Sequence, residues 1–305
     1  MITVLGHKSP DTDSTGSPII WAWYLNDVRK QPARAVLTGE PNTEAAWMLQ
    51  HWNLEKPEIV TELAPGEQVT IVDTNNAAEL PASIAGAEIV EIIDHHLLAG
   101  NLTTRLPINM TLRPVACTAT IMFDLIGADL DRAPRAIKGA MLTCILSDTL
   151  EFRSPTTTPH DRWVAEKLAG DLDLSIPAFA TEMFRAKSDV SAFDDAALLR
   201  MDSKEYELGG RKLRISVLET TAPEVLLDRK SALMAAMPGV AAEDGAEDVM
   251  LFVVDILNEQ ATLLVPNPWV ASVAERSFGV PVSGDSVLLP GIVSRKKQII
   301  PALKV

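Results

Sequence analysis

A chain of 305 residues is long enough for two domains of ordinary size, or one large α/β domain, each burying a core without disulfides. Its composition, 47% hydrophobic and 22% charged, is that of a globular protein, and apolar runs such as VMLFVV at 249–254 are far too short to span a bilayer, so no membrane role is expected. A formal net charge of -14 argues against nucleic acid as the main partner, because backbone binding is driven by clustered Lys and Arg.

The opening MITVLGHKSP lacks a basic segment followed by an apolar one, so no secretory signal is read and a cytoplasmic location is expected. ITVLG at 2–6, ARAVLT at 33–38, VTIVD at 69–73 and EIVEIID at 88–94 read as strands, and the amphipathic or Ala-rich stretches between them read as helices. Strands alternating with helices imply a mostly parallel, doubly wound sheet covered by helices on both faces. In such a sheet, ligands collect beyond the carboxyl ends of the strands. His7, Asp73 and the run Asp94-His95-His96 follow three of these ends and are expected to gather at one edge.

A helix from about Ala133 to Leu146 then leads into SDTLEFRSPTT at 147–157. The polar stretch KSDVSAFDDA at 187–196 lacks a strong period and marks a boundary, giving a first domain over 1–188, a linker over 189–195 and a second domain over 196–305. Beyond it the pattern turns to hairpins, one through Gly209-Gly210 and one turning near Asn258, which predicts a smaller α+β domain. Cys117 and Cys144 are far apart, without the paired spacing of a zinc knuckle, and read as reduced core thiols.

Hard or borderline divalent metals take carboxylate oxygens and imidazole nitrogens, and a two-metal site needs carboxylates that bridge the ions. GHKSPDTDS at 6–14 offers His7, Asp11 and Asp13 on a loop leaving a strand. The same PDTDS would also serve as an acidic helix start, so capping and ligation both stand. Asp73 in IVDTNN is either a turn residue or a ligand at a strand's carboxyl end. An apolar core would gain nothing from the adjacent imidazoles of DHH at 94–96. Neighbouring side chains on an extended strand end point in opposite directions, which would let one histidine ligate metal while the other faces substrate. Asp148 follows the apolar MLTCIL, where a buried carboxylate is costly unless paired or coordinated; the alternative is an exposed helix end. Arg295-Lys296-Lys297 is either a solvated surface run or a phosphate-capturing cluster.

Together, GHKSPDTDS, VDTNN, DHH, SDTLEFRSPTT and SRKKQ resemble a family II, manganese-dependent inorganic pyrophosphatase of the DHH phosphoesterase superfamily, with matching motifs from residue 6 to residue 298. The resemblance implies a DHH metal-binding catalytic domain and a DHHA2-type substrate-binding domain with the active site in the cleft between them. It implies two Mn2+ or Co2+ ions, one held by His7, Asp11, Asp73 and Asp148 and the other by Asp13, Asp73, His95 and Asp148, with a hydroxide bridging them as nucleophile. By the same carry-over His96, Lys204, Arg295 and Lys296 contact pyrophosphate, Mg2+ arrives with the substrate, and the chain forms a homodimer through its first domain. Three positions depart from the family pattern: Ser9 for the usual Asn, DTNN (with Asn76) for DHNE, and Leu97 for the Arg after the two histidines. The alternatives are a sister exopolyphosphatase or short-oligonucleotide phosphodiesterase, and, from another class, a noncatalytic dinucleotide- or metal-binding α/β protein. Against the last, the turn after ITVLG has no GxGxxG fingerprint.

Overall fold

The computed structural model describes all residues from Met1 to Val305, and the chain divides into two compact units, Met1–Lys187 and Ser188–Val305. No helix is long and apolar enough to cross a membrane.

The first unit runs β1 (Ile2–Leu5), α1 (Thr12–Trp23), β2 (Ala33–Leu37), α2 (Thr43–His51), β3 (Glu58–Ile59), β4 (Gln68–Val72), β5 (Glu88–Asp94), β6 (Asn109–Leu112), α3 (Thr118–Ile126), α4 (Arg135–Asp148), α5 (Pro159–Leu172) and α6 (Ile176–Lys187). Its six strands are all parallel, in the order β3-β2-β1-β4-β5-β6. The four strands read from sequence are the four central ones. A parallel strand buried on both faces is a nearly continuous apolar run, and Leu5, Val36, Val69, Ile71, Ile89 and Ile92 form part of one core. The edge strands β3 and β6 escaped that reading because EI and NMTL are too short and too polar to stand out.

The order of the strands reverses between β1 and β4, where one connection runs outward through β2 and the other through β5. Connections that part in this way leave a crevice at the carboxyl ends of the two strands. His7 and Asp73 stand there.

Helix α1 fits against α4 because position 16 has no side chain. A Cβ on Gly16 would lie 2.4 Å from Cys144 Sγ and 3.4 Å from Met48 Cε. The close approach brings the first turn of α1 to the last turn of α4. Gly16→Ala forces that contact apart and lowers stability by about 1–3 kcal/mol, which a thermal melt against the unaltered protein checks.

Where the chain of the unit ends, the buried Glu44 meets Lys187 Nζ at 2.8 Å by charge alone, outside hydrogen-bond geometry. Thr43 Oγ1 donates to the Lys187 carbonyl at 3.3 Å, so the end of α6 is tied to the start of α2.

The second unit contains α7 (Asp195–Met201), β7 (Ser203–Leu208), β8 (Arg211–Thr220), α8 (Pro223–Leu227), α9 (Lys230–Glu243), β9 (Asp248–Asp255), β10 (Gln260–Leu264), α10 (Pro268–Phe278) and β11 (Ser286–Pro290). Its sheet has the order β11-β10-β9-β8-β7, and β8 and β9 are parallel while the other neighbours are antiparallel. Both expected hairpins are present. Gly209 (φ 57°) and Gly210 (φ 78°) make the first, since two successive residues with positive φ suit a tight turn matched to strand twist. Period-two alternation along β9 sends Met250, Phe252 and Val254 into one core and Val249, Leu251 and Val253 into the other.

Candidate metal centre

Asp11 caps the helix and keeps an oxygen free for the second role that its motif allowed. It is the N-cap of α1, with Oδ1 accepting from the Ser14 amide at 2.9 Å, while Oδ2 lies 3.6 Å from His7 Nε2. Capping uses one oxygen and leaves the other for a ligand. Asp13, in the first turn of α1 and 1% exposed, accepts from Ser17 Oγ at 2.6 Å and from the Thr118 amide at the start of α3 at 2.7 Å.

Asp73 is the hub. Its φ of 59° turns the chain sharply after β4, a left-handed conformation that Asp tolerates better than most residues. Its Oδ2 lies 3.4 Å from His7 Nε2, its Oδ1 lies 3.3 Å from His95 Nε2, and Thr118 Oγ1 donates to Oδ1 at 3.2 Å. Thr118 thereby links Asp73 to Asp13.

The two histidines that face Asp73 are held alike. His7 Nδ1 lies 2.7 Å from the Lys8 carbonyl and His95 Nδ1 lies 3.2 Å from the Val115 carbonyl. A carbonyl partner requires N–H at Nδ1, which leaves Nε2 as the basic nitrogen, turned toward the carboxylates. His96 differs: its Nδ1 is engaged by Asp94 Oδ1 at 2.8 Å, its side chain is 53% exposed, and it reaches Asp73 only at 3.9 Å.

The imidazoles of His95 and His96 lie side by side, with centroids 4.2 Å apart, rather than on opposite sides. The strand has ended at Asp94, whose Oδ1 also accepts the backbone amides of His95 and His96 at 2.8 and 3.1 Å and curls the chain. Asn75 completes this brace, donating to Asp94 Oδ2 and to the Leu97 carbonyl and accepting from the Ala99 amide. Asp94 and Asn75 were given no role from sequence, although both sit inside the quoted motifs.

Asp148 ends α4. The residue keeps some exposure as a whole, yet its Oδ2 is sealed from solvent and has no hydrogen-bond partner. It groups with Asp13 and Cys117, as His7 groups with Asp11 and Asp73, and Asp73 with His95 and His96; ligand atoms within each trio lie within 4.8 Å of one another. All six side chains expected to bind metal therefore converge at one edge of the first sheet.

Electrostatics show what the cluster lacks. Burial, then the Asp73 charge, pushes Asp13 up to about 7, and burial with Asp13 and Asp73 drives Asp148 well above the usual carboxylate range. Burial opposes charge on His7, but Asp11 and Asp73 raise it to about 11; burial likewise opposes charge on His95, which Asp73 and Asp13 bring to about 9. Burial works against the Asp73 carboxylate too, yet His7 and His95 hold its pKa below the usual value. Crowded buried carboxylates that protonate themselves or their imidazole neighbours are short of positive charge. A sealed, unpartnered carboxylate oxygen and two imidazoles presenting Nε2 fit divalent ions that accept mixed N and O donors.

The departures lie around this centre. Ser9 adopts a left-handed φ of 59°, Asn76 accepts from the Ala78 amide and from Asn101 Nδ2, and the Leu97 side chain is 94% exposed.

In the second unit, Lys204 projects from β7 and is exposed, as is Lys296. Arg295 opens a single π-helical turn over Arg295–Ile299. The polar residues of SRKKQ that flank its cations build that turn: Ser294 Oγ accepts from the Lys297 amide, while Gln298 accepts from the Val293 and Ser294 amides and donates to the Gly291 carbonyl.

Comparison with known proteins agrees with this architecture. The N-terminal domain model of the DHH family matches residues 1–148 and the DHHA2 domain model matches residues 181–305. A Deinococcus radiodurans protein named "Probable manganese-dependent inorganic pyrophosphatase" is 40% identical over 310 residues, covering 100% of this chain and 98% of its own length. An Enterococcus faecalis protein of the same name is 35% identical, covering 99% and 97%. Among solved structures, a Methanococcus jannaschii chain assigned to the family II inorganic pyrophosphatases superposes with a TM-score of 0.61 at 31% identity, over 99% of this chain and 98% of that one. An exopolyphosphatase-related protein of Bacteroides fragilis shares the fold at 13% identity, with a TM-score of 0.51 over 98% of this chain and 89% of its own. With a relative 40% identical across essentially its whole length and both domain models in place, this chain belongs to the family of manganese-dependent inorganic pyrophosphatases built from a DHH and a DHHA2 domain.

Proposed function

We propose that the protein is an inorganic pyrophosphatase that hydrolyses pyrophosphate to two phosphates at a pair of Mn2+ or Co2+ ions. The observation that carries the reading is the convergence on Asp73 of two imidazoles through Nε2, beside two buried carboxylates in need of positive charge. His7, Asp11, Asp73 and Asp148 would hold one ion and Asp13, Asp73, His95 and Asp148 the other. When bound, such a pair would supply a water of lowered pKa as nucleophile, together with Lewis-acid charge for phosphoryl oxygens.

The protein's own groups do the rest. Asp94 holds His96 through Nδ1 and raises its pKa, which favours the protonated ring and leaves the other nitrogen free to face a phosphoryl oxygen. Lys204, Arg295 and Lys296 contact the pyrophosphate and offset the charge that grows on the leaving phosphate, with Mg2+ entering on the substrate.

The sister activities are tested by comparing initial rates of phosphate release from pyrophosphate, tripolyphosphate and a dinucleotide. Pyrophosphate is expected to exceed the others by at least about 100-fold, roughly 3 kcal/mol of transition-state discrimination. Faster turnover of tripolyphosphate or the dinucleotide would move the protein to a sister branch.

We further infer a homodimer formed through the first unit. Strand β6 is an open sheet edge, and Met110 on it, with Leu97, Leu98 and Leu106 nearby in sequence, is an exposed apolar side chain. A mass in solution of twice 33.0 kDa is the expected result.

A further inference from the structure

Arg295 is held by a single residue. Its Nη1 donates to the Asp202 carbonyl at 2.8 Å and its Nη2 donates to Asp202 Oδ1 at 2.7 Å, forming a charge-assisted pair. The Arg295 side chain is 15% exposed whereas that of Asp202 is 55% exposed, so the guanidinium rests against the protein with the carboxylate on its outer side.

Asp202 is itself fixed. It ends α7 immediately before β7, and its carbonyl also accepts from the Val217 amide of β8 at 2.9 Å. Lys204 lies two residues further along, in β7, paired across the sheet with Ile215. One residue therefore joins the turn carrying Arg295 and Lys296 to the strand carrying Lys204, although some ninety positions separate them in sequence.

A free arginine side chain samples many rotamers, and ordering it on binding costs affinity. A group that fixes the fork beforehand removes that cost, provided it leaves donors for the substrate. Asp202 engages Nη1 and Nη2 once each, and a guanidinium carries five N–H donors.

We propose that Asp202 is a positioning residue for pyrophosphate binding: it presets the Arg295 fork at a fixed spacing from Lys204, so that the two cations meet the anion as one preorganised unit. The inference rests on the reading that Arg295 and Lys204 contact pyrophosphate, and it adds how they are held.

Steady-state kinetics on the metal-loaded protein test it, using Asp202→Ala, Asp202→Asn, Arg295→Ala and the Asp202→Ala/Arg295→Ala double variant. Asp202→Ala should raise KM for pyrophosphate about tenfold, as expected for loss of one charged hydrogen bond, with kcat less affected. Asp202→Asn, which keeps an oxygen acceptor for Nη2 and the carbonyl for Nη1, should recover most of that loss. In the Arg295→Ala background, Asp202→Ala should add nothing, because the group it positions is gone. Since Asp202 is exposed, melting temperatures should stay within a few degrees across the series, separating binding from folding. An unchanged or lowered KM for Asp202→Ala, or the same tenfold loss in the Arg295→Ala background, overturns the inference alone. An Arg295→Ala variant with unaltered KM and kcat overturns both the inference and the assignment of Arg295 to substrate.

Discussion

Replacing Asp73 by alanine abolishes pyrophosphate hydrolysis, with a fall of at least about a thousandfold, or 4 kcal/mol in barrier height. The expectation follows from the number of groups that meet this carboxylate: His7 on one oxygen, His95 and Thr118 on the other. No other side chain of the cluster joins both imidazoles. Metal analysis of the purified variant should show fewer ions per chain than the unaltered protein. His96→Ala provides the contrast, because this ring is turned to Asp94 and reaches Asp73 only at 3.9 Å. It should retain its metal content and lose mainly kcat, by about 100- to 1,000-fold. Equal metal loss in both variants would overturn the division of roles.

Metal binding and pH should be strongly coupled. In the metal-free protein Asp13 binds its proton up to about 7, against an ordinary 3.8, so between those values the folded chain holds a proton that the unfolded chain has released. His7 and His95 extend the same imbalance from 6.5 to about 11 and about 9. Where the folded state binds more protons than the unfolded one, stability falls as pH rises. The contribution of the two imidazoles is whole below 6.5 and is lost as pH climbs toward their folded values. Asp73, with its pKa depressed, acts in the opposite sense only at acid pH, as its ordinary range is approached.

A divalent ion needs those protons gone, so its affinity rises over the same range. The melting temperature of chelator-stripped protein should therefore decrease from pH 6 to pH 8, and the gain on adding Mn2+ should increase. At a thousandfold excess over Kd the gain amounts to about 4 kcal/mol, roughly 10 °C for a domain of this size. A gain that does not change with pH would place the ions away from Asp13, His7 and His95.

Much of this site was legible because buried parallel strands announce themselves as apolar runs and their carboxyl ends were occupied by ligand-type residues. His7 and Asp73 follow β1 and β4, the two strands at which the connections part. At Asp11 capping does not exclude ligation, since one oxygen takes the Ser14 amide and the other faces His7. What stayed hidden depends on long-range contact. The orientation of His96 is set by Asp94 and that of Asp94 by Asn75, nineteen positions away, a brace with no sequence spacing of its own. The parallel pairing of β8 with β9 runs through a helical crossover that local hairpin patterns do not encode. Thr118 and Gly16 join the site only when α3 and α4 come to α1, and nothing local marks either of them.

The claim that these side chains form a two-metal hydrolytic centre is tested most directly by titrating chelator-stripped protein with Mn2+ while recording phosphate release from pyrophosphate. Activity should be absent at the start and rise to saturation at two equivalents per chain, with Co2+ able to replace Mn2+. Full hydrolysis by the stripped protein, or saturation at a single equivalent, would contradict it.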